Sequence, residues 1–215
     1  MTSSNSVQIA VNGGISFGSK LTTQQLLMLS TYLSIDTEIE LTTFQQLYIW
    51  VPKERVNEII KKFEQEGLYC YPVGNYVKSL RTCNFCKGYE EEGMPVAIEL
   101  NRRIAGIPVP FTLKPAYTGC PIGCGEPMVA DLGVMKMQNS YNLYVGGKSK
   151  GLDASVGVLV YEKLTPEELF EHAEKMIHYY AQNGRRREAF SKFIQRIGLQ
   201  DFLDNAIVFE KNDAN

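Results

Sequence analysis

The chain of 215 residues has only two histidines, His172 and His178. They stand six apart on an expected helix, so they do not share a face as an imidazole metal pair would. There is no excess of positive charge: a net charge of -2 argues against a dedicated nucleic-acid binder, which needs surplus Lys and Arg to neutralise phosphates. No apolar run approaches the length needed to cross a bilayer, and residues 1–7, MTSSNSV, lack the basic-then-apolar pattern of a signal peptide. The expectation is a cytoplasmic protein with no membrane or nucleic-acid partner. The glycines at 146–147 and 123–125 do not form a dinucleotide fingerprint, so no flavin or nicotinamide site of its own is expected. No internal repeat is visible.

The periodicities that are present divide the chain in two. Residues 7–11, VQIAV, read as a strand running into Gly13-Gly14, and Thr22 with Gln25 opens a helix carrying Leu26, Leu27, Leu29 and Leu33. Residues 39–51 read as one strand. The next helix begins near Pro52, presents Val56, Ile59, Ile60 and Phe63 on one side and stops at Gly67. From about residue 74 the character changes, with cysteine, glycine and proline clustering around a short helix over Ala97–Ile104. Strands follow over 129–135, 141–146 and 156–161. Thr165-Pro166-Glu167-Glu168 opens a long helix, a final helix covers roughly 186–197, and the terminal KNDAN is expected to fray.

Five cysteines are an odd number, and four of them form close pairs, which in a cytosolic chain suggests metal ligation over disulfides. Cys83-x2-Cys86 and Cys120-x3-Cys124 place four thiolates in two tight turns. Zinc in a ribbon and a cubane iron–sulfur cluster both take four sulfurs. The x3 spacing of the second turn, with Gly119, Gly123 and Gly125 around it, favours the cluster, because amide N–H groups of a glycine-rich turn can point at sulfides and hold a negative centre. Cys70, between Tyr69 and Tyr71, reads as a core residue.

The run Tyr117-Thr118-Gly119-Cys120-Pro121-Ile122-Gly123-Cys124-Gly125, followed by Pro127, Val129, Ala130, Asp131, Leu132 and Gly133, resembles the second cysteine motif of the nitrite and sulfite reductases. Thr42-x2-Gln45, the Tyr144-Val145-Gly146-Gly147 strand end and the Glu167-Glu168 helix extend the resemblance in the same order along residues 7–200. It implies an α+β fold, with a ferredoxin-like half-domain over 7–73 and a 4Fe-4S/sirohaem-binding domain over 74–210. It further implies a 4Fe-4S cluster on Cys83, Cys86, Cys120 and Cys124, with Cys124 bridging to the iron of sirohaem. The haem carboxylates call for cations, for which Lys78, Arg81, Arg102, Arg103 and Lys148 are the candidates, and Lys114 matches a family lysine that reaches the substrate anion. Two departures stand out. The family's first cysteine position matches Leu80 here, so Cys83 would replace it, and Glu40 and Phe44 stand where the family carries arginines. The implied activity is reduction of sulfite, nitrite or a related small substrate with electrons from a separate donor protein, one repeat sharing its pocket with a second copy or a partner subunit. The alternative is an electron-transfer or accessory iron–sulfur protein that has lost oxyanion reduction.

Overall fold

The computed structural model describes residues 5–15, 20–83, 86 and 90–209. The chain divides into two compact units, Met1–Val73 and Gly74–Asn215. The first unit runs β1 (Ser6–Asn12), α1 (Thr23–Tyr32), β2 (Glu40–Leu41), β3 (Leu47–Pro52), α2 (Val56–Gln65) and β4 (Tyr69–Pro72). Its sheet has the order β2-β3-β1-β4 with every pair antiparallel, the ferredoxin-like βαββαβ arrangement. Alternation in β1 and β3 turns Ile9, Val11, Ile49 and Val51 inward against Leu29, Ile59 and Phe63 of the two helices. The capping box at Thr22 and Gln25 is present. Gln25 also donates from Nε2 to the carbonyls of Glu66 and Gly67, which ties the start of α1 to the end of α2. Leu26 and Leu27 are about half exposed, so Leu29 is the α1 leucine that enters the core.

The expected single strand over 39–51 is a hairpin. Thr42 turns the chain: its backbone N–H and its hydroxyl both donate to the Gln46 carbonyl, at 3.0 and 2.8 Å, and Gln45 adopts φ 58°. Such a hydroxyl offers the backbone a local alternative to the ladder. Glu40 is exposed on β2 and Phe44 half-buried in the turn.

The second unit contains β5 (Arg81–Thr82), α3 (Glu90–Ile104), β6 (Pro115–Thr118), β7 (Leu132–Lys136), β8 (Tyr141–Val145), β9 (Val158–Leu164), α4 (Pro166–Asn183), α5 (Phe190–Ile197) and α6 (Leu199–Ile207). The sheet order is β5-β6-β7-β8-β9; β5, β6 and β7 are parallel, while β7, β8 and β9 form an antiparallel meander. α3 is the crossover between β5 and β6, as a parallel pair requires. It begins earlier than the expected Ala97. The strand expected over 129–135 begins only at Leu132, and Val129 instead closes a 3-10 turn over Pro127–Val129. After α5 the chain reverses at Gly198, whose φ of +91° suits glycine, into α6, one helix more than the sequence pattern predicts. Phe202 packs edge-on against Phe190 and Phe193, and both of these pack against Tyr180 of α4. Tyr180 donates its hydroxyl to the carbonyls of Phe111 and Glu188, and burial pushes its ionisation well above the usual tyrosine range. No helix among the described residues is long and apolar enough to cross a membrane. The terminal residues KNDAN and the first four residues lie outside the described ones.

Candidate metal centre

Because β5 and β6 are adjacent and parallel, the residues that directly follow them, Cys83 and Gly119, lie at the same end of the sheet. Cys83 comes directly after β5, and Gly119-Cys120 directly after β6. Cys83 donates its N–H to the Tyr117 carbonyl at 3.2 Å, and Gly119 donates its N–H to Cys83 Sγ at 3.3 Å. An amide aimed at a thiolate sulfur is the hydrogen bond that a sulfur-ligated negative centre uses. The second turn closes on itself, with Gly123 N–H donating to the Cys120 carbonyl and Glu126 N–H to the Gly123 carbonyl; Gly123 and Glu126 both sit at positive φ. Cys83 is buried, Cys120 half-buried, Cys86 and Cys124 exposed. The intervening residues 84–85 and 87–89 lie outside the described ones.

Glycine is required where the second turn lies on the strand. A Cβ on Gly125 would stand 2.1 Å from the Tyr117 carbonyl oxygen and 3.2 Å from Cys83 N. The segment that follows returns across the sheet in the same backbone-to-backbone manner, Pro127 against Gly133 and the Met128 and Ala130 carbonyls against Gly147. Tyr117 anchors this arrangement from the opposite face, donating its hydroxyl to the Gly93 carbonyl of α3 at 2.9 Å. Burial drives its ionisation far above the usual tyrosine range. Leu80, the position of the family's first cysteine, is a core residue whose N–H is taken by Asn101 Oδ1 at 2.8 Å.

The candidate cations are dispersed. Arg81 is at the cysteine turns, donating to the Gly125 carbonyl at 3.1 Å and to Glu126 Oε2 at 2.7 Å. Arg102 and Arg103 are on the last turn of α3. There Glu99 pairs with both, held down to about 2 by the two guanidinium groups, and Arg103 continues to Glu174 and lies over the Phe170 ring, joining α3 to α4. Ten helical residues separate Arg103 from Gly93, about 15 Å along the axis, so neither arginine stands with the cysteines. Lys78 precedes β5, with its N–H on the Leu113 carbonyl. Lys114 begins β6, about 16 Å of extended chain from Gly119. Its N–H donates to Asp131 Oδ2 at 2.9 Å. Burial raises the Asp131 carboxyl to about 6, opposed by that hydrogen bond and by the Lys114 charge. Lys148 follows β8 and pairs with Asp153, which Lys192 also approaches at 3.3 Å. These three line a cavity of about 360 Å³ with Ser155, Ser191 and Gln195. Of these candidates, Arg81 is seen in contact with the second cysteine turn.

His172 stacks on Tyr161 with ring centroids 4.1 Å apart, and burial lowers its proton affinity. Cys70, in β4 of the first unit, has its thiol pushed up to about 12 by burial and by Glu64, which makes it a poor source of thiolate. Among the described residues no three of His, Cys, Asp or Glu gather closely enough to hold a single metal ion. A mononuclear zinc site needs its sulfurs about 2.3 Å from one centre, whereas a cubane spreads four thiolates over four irons. Donor chemistry, the amide on Cys83 and the glycine surface beneath the second turn fit a cluster. Two features had no reading in the sequence: the Arg81 contact with the turn, and Thr118, whose buried Oγ1 has no hydrogen-bond partner among the described residues.

Residues 77–212 match the family model described as the nitrite and sulphite reductase 4Fe-4S domain. The chain is 29% identical over 190 residues to a cobalt-factor III methyltransferase of Priestia megaterium, covering 88% of this chain and 35% of that protein. It is 30% identical over 154 residues to a nitrite reductase [NAD(P)H] of Bacillus subtilis, covering 70% of this chain and 19% of the relative. An assimilatory-type sulfite reductase of Nitratidesulfovibrio vulgaris shares 25% over 126 residues, 59% of this chain and 57% of that one. The chain thus spans about a third and a fifth of the first two relatives. Dissimilatory sulfite reductase I shares its fold with a TM-score of 0.72 at 13% identity, over 96% of this chain and 70% of that one. Mycobacterium tuberculosis NirA does so with 0.66 at 17%, over 94% and 39%. With its second unit matched almost from end to end, the chain belongs to the nitrite and sulphite reductase 4Fe-4S domain family.

Proposed function

We propose that this protein is an oxidoreductase of the nitrite/sulfite reductase type, holding a 4Fe-4S cluster on Cys83, Cys86, Cys120 and Cys124. The observation that carries the proposal is the meeting of Cys83 with the start of the Cys120–Cys124 turn at the common end of β5 and β6, with Gly119 N–H already directed at Cys83 Sγ. Sirohaem would be held through Cys124, the exposed member of the second turn, with Arg81 beside it for a carboxylate. When bound, the coupled pair would supply electrons one at a time to sulfite, nitrite or a related small substrate, drawn from a separate donor protein. The chain's own part is to fix the thiolates, direct amides at sulfur and offer cations to the anions. Lys114 lies at the far end of β6, so its ammonium serves an oxyanion at the cysteine end only in a pocket completed by a second copy or a partner subunit.

The relative named for methyl transfer to a cobalt factor favours a second reading, an accessory or electron-transfer iron–sulfur protein without oxyanion reduction. Anaerobic purification from cells able to make sirohaem separates the two. The reductase reading expects iron and acid-labile sulfide in near-equal amounts, haem bands in the visible spectrum, and their loss in Cys124→Ser. Cys120→Ser is expected to reduce cluster content far more than Cys70→Ser. A cluster without haem, inert toward both anions under a strong reductant, selects the accessory reading; zinc without sulfide ends both.

A further inference from the structure

Thr118 is the last residue of β6 and its side chain is fully buried. Tyr117, one residue earlier, faces α3 through its bond to Gly93, so the alternation of the strand points Thr118 to the opposite face. Met135 is its register partner there, and Met135 reaches with Cε to the Cβ position of Gly123, in the Cys120–Cys124 turn. The hydroxyl is therefore enclosed beneath the second cysteine turn, two residues from Cys120. Its Oγ1 has no hydrogen-bond partner among the described residues. A buried hydroxyl without an acceptor is unfavourable, and valine would fill the same volume without that cost. Such a group in a native fold calls for an acceptor that arrives with a ligand.

Sulfur is the acceptor this place would provide, since Gly119 N–H, next in the chain, already donates to Cys83 Sγ. We propose that Thr118 donates its hydroxyl proton to a sulfur of the bound cluster, the Cys120 thiolate or a sulfide beside it, and so favours the cluster's reduced state. This rests on the cluster reading above. Reduction adds negative charge that the sulfurs share, and a hydrogen bond to sulfur strengthens as that charge grows; such bonds are among the factors that set cluster potentials. Thr118 is on this view a tuning residue: it neither ligates iron nor touches substrate.

The test compares wild type, Thr118→Val and Thr118→Ser, each reconstituted anaerobically, with iron and sulfide measured first. Wild type lacking both would overturn the cluster reading, and the donor with it. With cluster present, midpoint potentials are read by mediated titration, following the spectrum of the reduced cluster. At a fixed potential Thr118→Val is expected to shift the oxidised-to-reduced ratio about tenfold toward oxidised, a midpoint lower by about 59 mV for one electron. Thr118→Ser, which keeps the hydroxyl, is expected to stay near wild type. If the valine variant does not retain cluster, Thr118→Ala is titrated in its place. Equal midpoints in valine and wild type, or a serine variant that behaves as valine does, would overturn the assignment.

Discussion

Gly125→Ala perturbs one atom at the place where the second cysteine turn rests on β6. The added Cβ would lie 2.1 Å from the Tyr117 oxygen and 2.9 Å from its carbonyl carbon, so one of the two backbones must move by more than an ångström. Tyr117 cannot yield. Its peptide lies in a strand paired with β5 and β7, and its ring is bonded to Gly93. The turn must lift instead, which strains the Arg81 bond to the Gly125 carbonyl and draws Cys120 and Cys124 away from Cys83. Overpacking of this kind costs about 1–3 kcal/mol, and a lost hydrogen bond adds roughly 1 more. For a unit of this size that is on the order of 5–10 °C in melting temperature. The assay is a pair of measurements on anaerobically purified protein: thermal unfolding, and iron and sulfide per chain. Gly74→Ala is the control, because Gly74 has φ +121° with nothing within 4 Å of its Cβ position; it carries backbone strain but no collision. Gly125→Ala should lose both stability and cluster, and Gly74→Ala stability alone. A Gly125→Ala protein with wild-type cluster content and melting would refute the placement of the turn on the strand.

Asp131 provides a pH test. Its carboxyl is raised by burial to about 6 from 3.8, so between those values the folded chain binds more protons than the unfolded one, and stability falls as pH rises through that window. Asp131→Asn, which keeps an acceptor for Lys114 N–H, should flatten the dependence between pH 4 and 6 and leave the variant more stable above pH 6 by on the order of 1–2 kcal/mol; urea titrations at pH 4.5 and 7.5 check both signs. On the proposed reductase reading, Lys114→Met should leave cluster content intact while lowering sulfite or nitrite reduction roughly 10²-fold or more. If the pocket is shared between copies, mixing Lys114→Met with Cys124→Ser protein should regain activity that neither has alone. Tyr180→Phe removes the hydroxyl shared by the Phe111 and Glu188 carbonyls and should destabilise by about 1–3 kcal/mol in denaturant unfolding.

Several features were legible because they depend on neighbours in the chain. The capping boxes at Thr22 and Thr165 are three-residue relations and are present. The glycines of the second cysteine turn announced a turn, and Gly123 does take positive φ. What is not legible in the sequence depends on distant partners or on turns without the usual residues. β5 has only two residues and β6 four, and both exist as strands because parallel partners flank them. The β2–β3 turn contains no Gly, Pro, Asn or Asp, only a threonine hydroxyl taking over the backbone's bonding. Arg102 and Arg103 stand three and four residues after Glu99, so their ion pairs were readable from spacing, whereas nothing local told Lys114 from a residue at the cysteine end of its strand.

The parallel pairing of β5 with β6 also bears on the unfolded chain. Cys83 and the second turn come together only after α3 has crossed back over the sheet, and the Gly119 amide meets Cys83 Sγ across 36 positions of sequence. A cluster bonded to both turns would close that length as a covalent loop, and loop-closure entropy for about 36 residues corresponds to roughly 4 kcal/mol removed from the disordered ensemble. Oxidative loss of the cluster would then act as the cutting of a cross-link does: the native contacts of the sheet remain, but the chain regains the freedom to leave them.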